Sequence, residues 1–84
     1  MTIEECKRTN KIPERGTFVK ISNKIRHRAL CKGFCVSKKF LDNRKKDMLG
    51  VYLDYIPGAG GEVWLIMHED STIAAYMYDE VFDK

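Results

Sequence analysis

The run Pro57-Gly58-Ala59-Gly60-Gly61 constrains this chain most, because no helix or strand continues through it and strand-forming residues lie on both sides. Before it comes Met-Leu-Gly-Val-Tyr-Leu-Asp-Tyr-Ile (48–56), and after it Glu-Val-Trp-Leu-Ile-Met-His (62–68). Both segments are rich in the branched and aromatic side chains that suit a pleated surface. A flexible glycine loop between two such runs predicts an antiparallel hairpin. The polar turn Glu69-Asp70-Ser71 then leads into Thr72 to Tyr78, a third strand.

Upstream, Thr17-Phe18-Val19-Lys20-Ile21 places Val19 and Ile21 on one face, and Ser22-Asn23 ends the run. Ala29 to Val36 sets Leu30, Phe34 and Val36 against Cys31, Gly33 and Cys35, which predicts a further strand with a bend at Gly33. Thr2 and Glu5 have the spacing of a capping box, so a two-turn helix is expected from Ile3 to Thr9. Such a helix is too short to stand alone in water and must pack on the domain or fray. Pro13 and Gly16 end it, so residues 1–15 read as an N-terminal arm and residues 16–84 as one small β-barrel domain.

Five short strands in about 65 residues are best satisfied by a strongly bent barrel, which removes exposed edges. The opening Gly16-Thr17-Phe18-Val19-Lys20-Ile21, the glycine at 33 and the ending Thr72-Ile73-Ala74-Ala75-Tyr76-Met77-Tyr78-Asp79-Glu80-Val81 resemble small SH3-like barrels of the KOW and Tudor kind. The expected fold is mainly β, a small five-stranded antiparallel SH3-like barrel with a short N-terminal helix or arm. What the resemblance implies is a binding module, with RNA, DNA or protein segments as partners.

Charge is divided along the chain. Residues 1–50 hold 14 basic and 5 acidic groups, a net +9, whereas residues 51–84 hold 1 basic and 7 acidic groups, a net −6. Either one face meets an anionic partner or the halves pair as they fold. Exposed pairs contribute only about 0–1 kcal/mol each, so pairing alone does not account for the gathering of so many bases. The longest apolar run, Val63 to Met67, is far below the roughly 20 residues of a membrane span, and no signal-peptide core is visible, which predicts a cytoplasmic protein without a membrane partner. Three cysteines are too few for a disulfide framework and fit a reducing compartment.

The bases fall in two clusters. Lys24, Arg26, His27 and Arg28 follow the first strand, and Lys38, Lys39, Arg44, Lys45 and Lys46 surround Asp42-Asn43. If Asp42-Asn43 is a hairpin tip, the second cluster projects as a charged finger containing Phe40. Cations beside a ring suit single-stranded nucleic acid, whose bases stack at roughly 1–3 kcal/mol each while phosphates meet the charges. The plainer reading is a solvated face with Phe40 in the core.

Other chemistry is sparse. His27, Cys31 and Cys35 share a face only on a helix, and on a strand the two thiols stand about 13 Å apart, too far for one ion, so no metal site is expected. The glycine loop lacks the Lys-Ser or Lys-Thr of a P-loop, and His68-Glu69-Asp70-Ser71 reads as a polar turn rather than a catalytic relay. The expectation is a non-enzymatic module without cofactor that binds RNA or single-stranded DNA through Lys24, Arg26, Arg28, Lys38, Lys39, Phe40, Arg44, Lys45 and Lys46. The alternative is an inhibitor or adaptor that binds a protein partner through Trp64, Gly58 and Gly60.

Overall fold

A computed structural model of the chain describes residues 2–9, 12–25, 36–58 and 61–83. The elements are α1 (Ile3–Thr9), β1 (Phe18–Ile21), α2 (Lys38–Asp42), β2 (Leu49–Gly58), β3 (Gly61–His68), β4 (Ile73–Met77), a 3-10 turn (Tyr78–Glu80) and β5 (Val81–Asp83). All strands belong to one antiparallel sheet in the order β4-β3-β2-β1-β5. The protein is mainly β, with a short N-terminal helix.

The sheet bends around one core. Its inner face carries Val19 and Ile21 of β1, Tyr52 of β2, Trp64 and Ile66 of β3, Ala74 and Tyr76 of β4 and Val81 of β5, joined by Ile3 from α1. Tyr52 and Trp64 meet edge to face, with centroids 5.8 Å apart. A register shift between Tyr52 and Asp54 tightens the bend in β2. Gly50 lets the backbones close there, because a Cβ on it would lie 2.6 Å from Ile66 Cγ2 and 2.7 Å from the Met67 carbonyl oxygen.

The sheet has the five antiparallel strands expected and is not closed. β4 and β5 stay unpaired with one another, since the 3-10 turn diverts the chain so that β5 joins β1. The free side of β4 is covered by side chains instead: Asn43 Nδ2 donates to the Ile73 carbonyl at 3.1 Å and Arg44 to the Ala75 carbonyl at 2.7 Å. Blocking an edge in this way protects it from pairing with another chain.

The N-terminal helix has the expected bounds. Thr2 Oγ1 accepts from the Glu5 amide at 3.1 Å, and the Asp83 carboxylate accepts from the Ile3 amide at 2.5 Å. A carboxylate at a helix N-terminus satisfies free amides and meets the positive end of the dipole. Lys7 donates to the Val81 carbonyl, so α1 is tied to β5 along its length.

Two expectations for the middle of the chain change. Asp42-Asn43 is not a hairpin tip, because Lys38–Asp42 forms α2, with Ser37 O accepting from the Phe40 amide at 3.1 Å and the Leu41 amide at 3.3 Å. Leu41 is buried on its inner side, and the helix packs on β4. The predicted strand from Ala29 to Val36 lies outside the described residues except for Val36, which is in neither helix nor strand; the fifth strand is Val81–Asp83.

Candidate nucleic-acid interface

Alternation along β1 sends Val19 and Ile21 into the core and turns Phe18 and Lys20 outward. On β5 the same rule buries Val81 and turns Phe82 outward, directly opposite Lys20. Phe18 is 65% exposed and Phe82 is 42% exposed. The two residues are therefore diagonal neighbours on one face, roughly 7–8 Å apart, with Lys20 beside both. Lys7 Nζ lies 4.4 Å from the centroid of the Phe82 ring. Burial pulls Lys7 below the ordinary lysine pKa, against the opposing pull of Glu4.

Grooves border these residues on both sides. One, of about 170 Å³, runs along Phe18, Leu49, Val51, Met67 and Glu69. The other, of about 270 Å³, is lined by Lys20, Ser22, Asn23, Asp47 and Phe82 among others. Lys20 and Asp47 pair at 3.2 Å with both side chains half exposed, a pair that water and salt screen. The ends of the two basic segments meet here, since the Asp47 amide donates to the Ser22 carbonyl at 3.0 Å and the Lys24 amide to Ser22 Oγ at 3.0 Å. Lys24 and Lys46, both exposed, thus flank a single closure point.

The other predicted cations are divided. Lys38 and Lys39 are exposed on α2, with Phe40 half-buried beside them. Arg26 and Arg28, with His27, Cys31 and Cys35, lie outside the described residues. Arg44 does not project as a finger: its side chain is 3% exposed and meets the Glu80 carboxylate at 2.7 Å, with the Tyr76 ring 5.0 Å away. Glu80 also accepts from the Met77 amide at 2.8 Å. Lys45 Nζ pairs with Asp70, and this contact, followed by those from Thr72, holds the Asp70 carboxyl well below the usual range.

The two halves of the charge distribution do meet, then, in Arg44–Glu80, Lys45–Asp70 and Arg15–Asp54 at 3.3 Å. Arg44 is committed to folding, whereas Lys45 is held by Asp70 in a partly exposed pair. Among the described residues, the exposed bases of the two clusters lie at two places, Lys24 and Lys46 near β1 and Lys38 and Lys39 on α2.

The residues proposed for a protein partner are placed differently from what that role needs. Trp64 is 3% exposed and belongs to the core, so it is not a surface anchor. Gly58 pairs with Gly61 at the end of the β2–β3 hairpin, and Gly60 lies outside the described residues. His68-Glu69-Asp70-Ser71 is a tight turn, closed by the His68 and Ser71 amides at 2.8 and 2.9 Å. His68 itself is buried, a polar core residue that its place in a hydrophilic run did not suggest.

Sequence reasoning missed Phe18 and Phe82 as surface rings. The signal for Phe18 was present, since it has the parity opposite to Val19 and Ile21. Among the described residues no group of His, Cys, Asp and Glu is placed to hold a metal ion, and no helix is long and apolar enough to cross a membrane. No protein-family model, curated protein or solved structure matches the chain.

Proposed function

We propose that this protein is a non-enzymatic module that binds single-stranded nucleic acid, RNA or DNA, on the outer face of β1 and β5. The observation that carries the reading is the pair of exposed rings, Phe18 and Phe82, flanking Lys20 on adjacent strands. Every base has a π-face, so rings spaced along a sheet accept successive unpaired bases without demanding a sequence. Lys20, Lys24 and Lys46 supply cations for the backbone between them, and the Lys20–Asp47 pair is exposed enough to yield to phosphate. Paired bases are already stacked within a duplex and leave no faces for such rings. Lys38, Lys39 and Phe40 on α2 extend the contact only if a long strand wraps the domain. The three cysteines, of which Cys6 is buried and free, suit a reducing cytoplasm.

The test is fluorescence anisotropy with labelled oligouridine and oligothymidine across a salt series. Affinity should fall with a log–log slope of about −0.7 per phosphate contacted. Phe18→Ala and Phe82→Ala should each weaken binding by roughly tenfold to a hundredfold, the equivalent of one stacked base. Absence of measurable binding, or binding unaffected by both substitutions, rejects this function.

A second reading rests on the groove that Phe18, Leu49, Val51 and Met67 line with apolar side chains, which would meet those of a protein partner. Under that reading the protein acts as an adaptor or inhibitor. Affinity purification should recover a stoichiometric protein that is lost from Met67→Glu and retained by Lys20→Glu; recovery by both variants, or by neither, rejects it.

A further inference from the structure

A chain of hydrogen bonds runs through the buried ring of His68. Nδ1 lies 2.9 Å from Thr72 Oγ1, which is 2.6 Å from the Asp70 carboxylate. On the other side, Nε2 lies 2.5 Å from the Tyr76 hydroxyl, which is 3.0 Å from the Lys45 carbonyl oxygen and accepts from the Lys45 amide at 2.7 Å. The ring therefore connects the β3–β4 turn to the segment that covers the edge of β4.

With a neutral ring this series of hydrogen bonds is one proton short. Four contacts need a hydrogen from an imidazole or a hydroxyl: ring to Thr72, Thr72 to Asp70, ring to Tyr76, and Tyr76 to Lys45. Neutral His68 has one N–H, and Thr72 and Tyr76 have one O–H each. Three protons serve four contacts. With the proton on Nδ1, the Thr72 hydroxyl is directed to Asp70 and the Tyr76 hydroxyl donates to Nε2, so the Lys45 carbonyl loses its donor. With the proton on Nε2, Tyr76 donates to Lys45 and the Thr72 hydroxyl must abandon either His68 or Asp70. The imidazolium, with two N–H groups, completes all four.

We infer that His68 is a proton-operated latch whose neutral ring carries its hydrogen on Nδ1, toward Thr72: uptake of one proton from solvent at Nε2 turns the Tyr76 hydroxyl onto the Lys45 carbonyl and fastens the Asn43–Lys45 cover to the edge of β4. Loss of that proton leaves the Nδ1–H tautomer, in which the Tyr76 hydroxyl donates to Nε2 again and releases the carbonyl. Only one N–H bond is made or broken: the proton taken from water becomes the Nε2–H, and the Tyr76 hydroxyl keeps its own hydrogen while turning from Nε2 to the Lys45 carbonyl.

The charges around the ring divide. Asp70, from the turn, favours the imidazolium, while Lys45, from the covering segment, opposes it. Arg44 lies over the Tyr76 ring but is matched by Glu80, and Glu69 is exposed beside the turn. Burial is the largest influence and favours the neutral ring, so the latch is open near neutral pH and closes in mild acid. The device is independent of the nucleic-acid reading, since it involves neither Phe18 nor Phe82.

The test is NMR on the whole protein, following the ring nitrogens of His68 and the carbonyl carbon of Lys45 from pH 8 to the onset of unfolding. The expected result is one shared midpoint below 6.5, with both ring nitrogens protonated in the acid form of the folded protein. In His68→Gln, which keeps one donor and one acceptor, the Lys45 signal should no longer titrate. A Lys45 signal that stays flat while His68 titrates, that titrates unchanged in the variant, or a ring that remains neutral until the protein unfolds would overturn the latch.

Discussion

Arg44 and Glu80, thirty-six residues apart in sequence, meet at 2.7 Å with side chains 3% and 2% exposed. The guanidinium also donates to the Ala75 carbonyl, and Glu80 accepts from the Met77 amide, so the pair is hydrogen-bonded on both sides. Removing one member leaves the other charge buried without its counter-ion. Arg44→Ala is expected to cost about 3–5 kcal/mol, whereas Lys38→Ala, Lys39→Ala and Lys46→Ala should stay within about 0.5 kcal/mol. Urea denaturation of the four variants checks the contrast. Equal effects would mean that Arg44 is a surface cation like the others.

Gly50 makes a second, purely steric prediction. An added Cβ would meet the Met67 carbonyl at 2.7 Å, and backbone cannot swing aside as a side-chain end can. Gly50→Ala should destabilise by roughly 1–3 kcal/mol, the usual range for overpacking. In a domain of this size that lowers the melting temperature by several degrees, on the order of 4–8 °C per kcal/mol. An unchanged melting temperature would show that β2 and β3 do not approach this closely.

The tie between the chain's two ends is testable through Asp83. Its carboxylate is the acceptor for the first amide of α1, and Asp83→Ala should cost about 0.5–2 kcal/mol, as loss of a helix cap does. Amide exchange in α1 should accelerate more than that in β2 and β3, because a helix of this length depends on its packing. Uniform acceleration would place the loss elsewhere.

Stability should depend on pH at both ends of the range. Burial lowers the pKa of His68 from 6.5, so as the pH falls the unfolded chain takes the proton first. Its contribution is complete above about 6.5 and declines as the pH drops through the folded value. Tyr76 behaves in the opposite sense: burial pushes it up from 10.0 to about 12, so its contribution is present below pH 10 and is lost between there and about 12. Urea midpoints across this range should flatten on the acid side in His68→Gln and on the alkaline side in Tyr76→Phe. Retention of the wild-type slopes would dissociate them from these residues.

Most of the sheet was legible in the sequence because strands and turns leave local marks. The alternation of Val19 and Ile21, the glycine loop at 57–61 and the Thr2–Glu5 spacing each specify a structure within a few residues. Five-residue α2 shows no helical period, and Ser37 before it makes no side-chain cap. β5 is only Val81-Phe82-Asp83, too short to declare itself, and it exists because β1 offers it an edge.

The site was less legible, since it depends on contacts between distant residues. Arg44 among Lys38, Lys39, Lys45 and Lys46 looks like one more surface base until Glu80 is brought beside it. Phe82, near the end of the sequence, becomes part of a surface only by lying opposite Lys20. The charge asymmetry reports two effects together, internal pairing and a residual basic surface, and only the fold separates them.

Under the proposed function, unpaired bases stack on the rings of Phe18 and Phe82. Its most direct test is an NMR titration of the protein with oligouridine, read at side-chain as well as backbone signals. The predicted footprint is Phe18, Lys20 and Phe82, with ring-current shifts at both phenylalanines and smaller changes at Lys24 and Lys46. A footprint confined to α2 and the β2–β3 hairpin, or no footprint at low salt, would contradict it.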